Sequence, residues 1–298
     1  MIDFRVDKRF KFVRSINRFL FKPALGKSIP LQFFLARKIL PDPPQICIIP
    51  TIFGFNIILR PHIDVGEQLT NTIDRQLYYL GTYEISTLSM LNTFLSAEST
   101  FVDVGAYIGD MTIFAALKCT KGRVFAFEPH PESFKYLLKN IKLNNLKNVS
   151  AYNIALGLSK RPVNFYPNAE FVGKSSTQAD NNISPIKVRV NYLDNVIPKD
   201  IKIDVLKIDT EGEELQILKS AKKTIMKNQP VLIVEYSPET KNHKLLLKYL
   251  GGMKKYSFYV PGHGRYYDRK LLAIKKLTGY RGKLTNIICV PQRFLDHL

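Results

Sequence analysis

Three segments end an apolar run on an acidic side chain. VLKIDTEGEELQILKSA, Val205 to Ala221, reaches Asp209 and then changes to Thr210, Glu211, Gly212 and Glu213. FVDVGAYIGD carries Asp103, Gly105 and Gly109 in the spacing D-x-G-x-x-x-G, and RVFAFE stops at Glu128. Small residues after a strand let the backbone pass close to a ligand before a helix begins. The same glycines also suit a tight strand-to-helix turn. A carboxylate such as Glu128 can accept both hydroxyls of a ribose, and burying it unpaired would be costly. The full G-x-G-x-x-G phosphate fingerprint is missing, so a nucleoside without pyrophosphate fits better than a dinucleotide.

Asp209 can align an acceptor hydroxyl, share its proton and favour a nearby cation. Glu211 could join it, or could serve the dipole of the following helix from its first turn. Thr210 and Glu213 have the T-x-x-E spacing of a capping box, and Gly212 suggests a close approach. PVLIVEY ends in Glu235, which would lie beside Asp209 if the two strands are neighbours about 4.8 Å apart. That pair could hold a divalent cation, share a proton or face Lys207, which alternates onto the side of Asp209. An ion pair with Lys207 is the simpler reading, and no metal is expected.

The elements that would position these residues alternate. Strands are predicted at Phe101–Val104, Arg123–Glu128, Val149–Leu156, Val205–Asp209, Pro230–Tyr236, Lys255–Val260 and Asn286–Pro291. Helices are predicted at Thr82–Leu95, Met111–Lys118, Pro131–Asn145, Glu211–Lys227 and Ser237–Leu250, the last ended by Gly251 and Gly252. Between Gly157 and Pro198, RPVNFYP and IKVRVNYL read as strands and GKSSTQADNNIS as loop. This order gives an α/β fold with a mainly parallel sheet covered on both faces, its ligands beyond the carboxyl ends of the strands.

With 298 residues, 45% hydrophobic and 23% charged, the chain can bury a sizeable core. Its net charge of +19 favours phosphate-bearing, nucleic-acid or anionic-membrane partners. Cys47, Cys119 and Cys289 are odd in number and lack metal-ligand spacing, which fits a reducing cytosol and a cytoplasmic location. No signal peptide or membrane-spanning run is read. Residues 1–45 form a basic extension before a domain at 46–298. Within it Phe4, Phe12, Ile16, Phe19 and Leu20 could form one helical face, packed on the domain or lying on an anionic membrane.

FVDVGAYIGDMTIFAA, VFAFEPHPESFKYLLKNIKLNN, NIALG, VLKIDTEGEELQILKSA and IVEYSPE together resemble the FkbM-type S-adenosylmethionine-dependent methyltransferases. The resemblance covers about residues 80–240, and KIDTEGEE is its most specific element. It implies a Rossmann-like class I methyltransferase fold with a seven-stranded sheet whose last strand is antiparallel. It also implies S-adenosylmethionine as cofactor and methylation of an oxygen on a sugar, lipid-linked glycan or other small molecule. Carried over by position, Asp103, Gly105, Ala106, Tyr107 and Gly109 would cradle the methionine part, with Tyr83 and Glu84 near that end. Glu128, beside Pro129, would hold the ribose, Ala155 and Leu156 would approach the adenine, and Asp209 would face the transferred methyl group.

His62, His130, His243, His263 and His297 are scattered, and Ser175 and Ser176 sit in a polar loop. Lys241 to Lys283 is rich in Lys, Arg and Tyr, which suits sugar stacking, a phosphate-linked acceptor, an RNA backbone or simply a solvated face. Methylation of RNA and a non-enzymatic binding role therefore stand beside the leading reading.

Overall fold

The computed structural model describes residues 1–20, 29–43, 46–59, 73–166, 184–210, 212–261, 271–274, 277, 280 and 285–297. The chain opens with β1 (Ile2–Asp3), α1 (Lys8–Leu20), α2 (Ile29–Ile39), β2 (Cys47–Pro50), β3 (Asn56–Leu59) and α3 (Ile73–Leu80). Next come α4 (Ile85–Phe94), β4 (Thr100–Val104), α5 (Asp110–Lys118), β5 (Arg123–Phe127), α6 (Pro131–Leu143) and β6 (Val149–Tyr152). Short elements follow: β7 (Ala155–Leu156), β8 (Val163–Phe165), β9 (Ile186–Val188), β10 (Val190–Asn191) and α7 (Leu193–Val196). The last group is β11 (Val205–Ile208), α8 (Glu214–Ser220), α9 (Lys222–Asn228), β12 (Val231–Tyr236), α10 (His243–Gly251), β13 (Tyr256–Pro261), β14 (Leu271–Ala273) and β15 (Thr285–Pro291).

The main sheet has the order β14-β13-β15-β12-β11-β4-β5-β6. Strands β12, β11, β4, β5 and β6 run parallel to one another, and β15 runs antiparallel between β12 and β13. The seven strands implied by the resemblance are therefore present. An eighth, β14, extends the sheet by pairing antiparallel with β13.

Side-chain alternation sorts this sheet into two faces. Val102, Val104, Leu206, Ile208, Leu232 and Val234 join a cluster with α8 and α10, while Phe101, Val205, Val231 and Ile233 join another with α4 and α5. On the second face the next alternate positions toward the carboxyl ends are Asp103, Lys207, Asp209 and Glu235. An apolar floor thus turns polar along one edge of the sheet.

Four expected elements differ. The strand predicted at Val149–Leu156 stops at Tyr152, because Asn153 turns aside and its Nδ2 donates to the carbonyls of Glu128 and Pro129. The helix predicted from Glu211 begins at Glu214 and is divided at Ala221 (φ −100°, ψ 9°). The capping box of Thr210 and Glu213 does not form; instead Oε1 of Glu214 accepts from Thr210 N, Thr210 Oγ1 and Gly212 N. The helices predicted from Thr82 and Ser237 begin at Ile85 and His243. The loop read at GKSSTQADNNIS, including Ser175 and Ser176, lies outside the described residues except for its final serine, Ser184.

The N-terminal elements share one core with β2, β3 and α3. Helix α1 buries Phe10, Val13, Arg14 and Asn17, whereas Phe12, grouped by its spacing on a face that could pack on the domain or on a membrane, is 57% exposed. The polar pair explains this rotation. Arg14 donates to the carbonyls of Pro50, Leu77, Tyr78 and Tyr79, and Asn17 to those of Tyr79 and Leu80. Together they satisfy the carbonyls of Tyr78, Tyr79 and Leu80, which the end of α3 leaves without helical partners, and add a second donor to Leu77 O, which Gly81 N already reaches. Burial lowers the Arg14 guanidinium to about 9, so its charge rests on those carbonyl dipoles. Among the described residues, no helix is long and apolar enough to cross a membrane. Replacing Arg14 with Met keeps the apolar stem but strands these carbonyls, at a cost of about 2–3 kcal/mol. Urea unfolding should show a lower midpoint for Arg14→Met, and an unchanged midpoint would contradict this role.

Candidate cofactor and acceptor site

The polar edge is organised around Lys207, which lies opposite Asp103 in the β11–β4 register. Its Nζ is 3.1 Å from Asp209 Oδ2 and 3.5 Å from Asp103 Oδ1. Burial disfavours the ammonium, but Asp209, Asp103 and Glu84 outweigh that effect and hold it firmly protonated. Asp103 is fully buried, and its Oδ2 also accepts from Thr112 Oγ1 at 2.6 Å. Asp209 keeps 24% of its side chain exposed while its N–H donates to Val104 O. One carboxylate is thus sealed beneath the lysine, and the other faces outward.

Gly105 lies at φ 81°, and a Cβ there would come within 1.8 Å of the Asp209 carbonyl oxygen. At Gly109, at φ 95°, a Cβ would meet Leu137. Both glycines therefore make room for the protein's own chain, and Gly105 lets β11 deliver Asp209 to the edge. The N–H groups of Gly105 and Ala106 both donate to Phe127 O, which folds the loop over β5. Tyr107 then takes a left-handed conformation (φ 49°) that presents its N–H to Glu128 Oε2 at 2.8 Å. His130 N–H occupies Glu128 Oε1, also at 2.8 Å. Burial raises the Glu128 carboxyl to about 7 against the opposing pull of these two donors. Each oxygen retains acceptor capacity for a further hydroxyl.

Glu84 caps α4 in a left-handed conformation (φ 40°), with Oε2 accepting from Thr87 Oγ1 at 3.0 Å. Burial and then Asp209 raise its carboxyl to about 7, with Lys207 opposing. Tyr83 is raised too, first by burial and then by Glu84 and Asp209, so its phenol stays protonated. Strained backbone at Glu84 and Tyr107, on either side of one carboxylate cluster, is the pattern of a preorganised site.

Sequence reasoning passed over Asp110, although it ends the quoted stretch FVDVGAYIGD. It sits in the first turn of α5, 6% exposed, and its Oδ2 has no hydrogen-bond donor among the described residues. Burial and then Asp103 raise its carboxyl to about 6. Its signal was an acid directly after the second glycine. Asp74 was also missed; it is buried in α3 and accepts from Tyr107 Oη at 3.2 Å.

The remaining candidates fall around this centre. The register placing Ile208 beside Val234 makes Asp209 and Glu235 neighbours, as the spacing required. Pro129 is half-buried beside Glu128. Ala155 is half-buried in the β7–β10 pair, while Leu156 turns into the core. His130 caps α6 by accepting from Ser133 N. Glu211, His62 and His263 lie outside the described residues. Among those described, no group of three or more His, Cys, Asp or Glu is arranged to hold a metal ion.

These residues fit S-adenosylmethionine. Glu128, held by two backbone donors, has acceptor capacity left for a diol such as that of a ribose, and the carboxylates of Glu84, Asp110 and Asp209 lie around a single described lysine, Lys207. That imbalance suits a cofactor carrying a sulfonium and an ammonium.

A family model described as "Methyltransferase FkbM domain" matches residues 103–260, just over half of the 298-residue chain. Methyltransferase 1 of Beauveria bassiana is 27% identical over 146 residues, covering 41% of this chain and 58% of that protein. The hexuronic acid methyltransferase AglP of Haloferax volcanii is 33% identical over 120 residues, covering 39% and 47%. The chain thus spans about half the length of these curated relatives. The solved structure of methyltransferase FkbM from Methylobacillus flagellatus KT aligns with a TM-score of 0.46 at 19% identity, covering 72% of this chain and 54% of that one. The match over the site-bearing half of the sequence means that this chain belongs to the FkbM methyltransferase family, whose cofactor is S-adenosylmethionine.

Proposed function

We propose that the protein transfers a methyl group to a hydroxyl oxygen of a sugar or other small glycan-like acceptor. The observation that carries this reading is Asp209, a partly exposed carboxylate anchored on buried Lys207 at the edge where Glu128 waits for a ribose. When bound, S-adenosylmethionine supplies an electrophilic methyl group on a sulfonium. Glu128 holds the ribose, and the unpaired oxygen of Asp110 is available to the ammonium. Asp209 accepts a hydrogen bond from the acceptor hydroxyl and so aligns its oxygen. The proton released as that oxygen forms its new bond passes to Asp209 or to Glu84, whose carboxyl near 7 suits a base at neutral pH.

A hydroxyl acceptor fits this chemistry better than a sugar carboxylate, which brings no proton to remove and would be repelled by the cluster. The relative named a hexuronic acid methyltransferase supports a sugar as the acceptor class. The net charge of +19 also allows a phosphate-linked acceptor.

Calorimetric titration with S-adenosylmethionine should show binding, and Glu128→Ala should weaken it about tenfold or more. Unchanged affinity would remove Glu128 from the ribose site. Because the folded-state carboxyls of Glu84, Asp110 and Glu128 are raised to about 6–7, the ligand-free protein binds extra protons there and loses stability as pH rises from about 4.5 through 7. A cationic cofactor favours the ionised forms, so its affinity should rise across pH 6–7 with release of protons. An affinity flat over that window would contradict this coupling. Labelled methyl transfer to a glycan extract should be lowered about 100-fold or more by Asp209→Asn with cofactor affinity nearly unchanged. Transfer to RNA alone, or normal turnover by the variant, would overturn the reading.

A further inference from the structure

The opposite end of the sheet carries a groove unrelated to the carboxylate cluster. It has a volume of about 710 Å³ and runs between α8, α9 and α10, closing against the segment that enters β13. Gln229, just before β12, and Tyr256, the first residue of β13, line it, so it reaches the amino ends of β12 and β13, whereas Glu235 lies near the carboxyl end of β12. Its walls are aliphatic, including Ile225, Met226, Leu245 and Met253. Met226 is 68% exposed and Leu245 56% exposed at its rim.

Five lysines border the same groove: Lys219, Lys222, Lys248, Lys254 and Lys255. All are exposed, none forms an ion pair among the described residues, and no carboxylate lines the groove. Exposed aliphatic groups surrounded by unpaired ammonium groups match a surface that is anionic outside and hydrocarbon within. A single-stranded nucleic acid would want aromatic faces to stack on. The two tyrosines in the lining instead pack against the core, and Tyr256 Oη is committed to Pro230 O at 3.0 Å.

We propose that this face docks the protein on an anionic lipid bilayer, with the lysines on lipid headgroups and Met226 and Leu245 entering the acyl region. The contact leaves the carboxyl edge of the sheet turned away from the lipid, so cofactor and a water-soluble acceptor can still reach it.

The test is co-sedimentation of the full chain with phosphatidylcholine vesicles, with and without about 30 mol % phosphatidylglycerol. The protein should pellet only with the anionic vesicles, and less so as salt rises. The double variant Met226→Asp, Leu245→Asp should lose binding several-fold while keeping the wild-type unfolding midpoint, because both side chains are exposed. The chain contains no tryptophan, so Met226→Trp supplies a single reporter. Its emission should shift to the blue and be quenched by brominated acyl chains, which headgroup attraction alone would not cause.

Equal pelleting of the double variant and wild type, or an unshifted reporter, overturns the proposal. So does loss of binding on Phe12→Asp with none on the groove variant, which would move the contact to the N-terminal helices. Groove-dependent binding of a single-stranded RNA without any vesicle binding would also overturn it.

Discussion

A buried ammonium held between two carboxylates underlies the arrangement of the site. Burial disfavours the charge on Lys207, and Asp209 and Asp103, 3.1 and 3.5 Å away, hold it there. The three come from two neighbouring strands whose alternation turns from apolar to polar along one face. This ion pair fixes Asp209 at the carboxyl edge with part of its carboxylate still open to a ligand. It also reaches Glu84 and Asp110, whose carboxyls are raised first by burial and then by Asp209 and by Asp103 respectively, with Lys207 opposing in both cases.

Around that centre, backbone geometry does much of the work usually credited to side chains. The loop from Gly105 to Gly109 reads as a ligand cradle, yet the space its glycines leave is filled by Asp209 O and Leu137. Within the fold it seats Asp209 and turns Tyr107 N–H onto Glu128. Glu128 is thereby held by two backbone donors before any ligand arrives. Preorganisation of this kind avoids ordering the carboxylate at the moment of binding.

The site was legible in the sequence where it follows strand alternation. Asp103, Lys207 and Asp209, and the placement of Glu235 beside Asp209, all follow from period two and parallel neighbours. Asp110 was in plain view but lay just before the helix predicted from Met111; only the folded chain shows that it is buried with an unpaired oxygen. The helix after β11 was misplaced because Thr210 pairs with Glu214 rather than with the acid at capping-box spacing. Likewise Asn153 ends β6 through bonds to carbonyls that local pattern does not show. The N-terminal core was least legible, since Arg14 and Asn17 serve the end of α3 more than 60 positions away.

The central claim is that one pocket, with Glu128 on one side and the Lys207-held Asp209 on the other, receives the cofactor and points the acceptor at its methyl group. A crystal structure with S-adenosylhomocysteine bound tests this most directly. The account predicts ribose hydroxyls on Glu128, the amino group beside Asp110, and the sulfur facing Asp209 with the Lys207 ion pair intact. A ligand seated elsewhere, or a Glu128 carboxylate that makes no contact with the ribose, would contradict it.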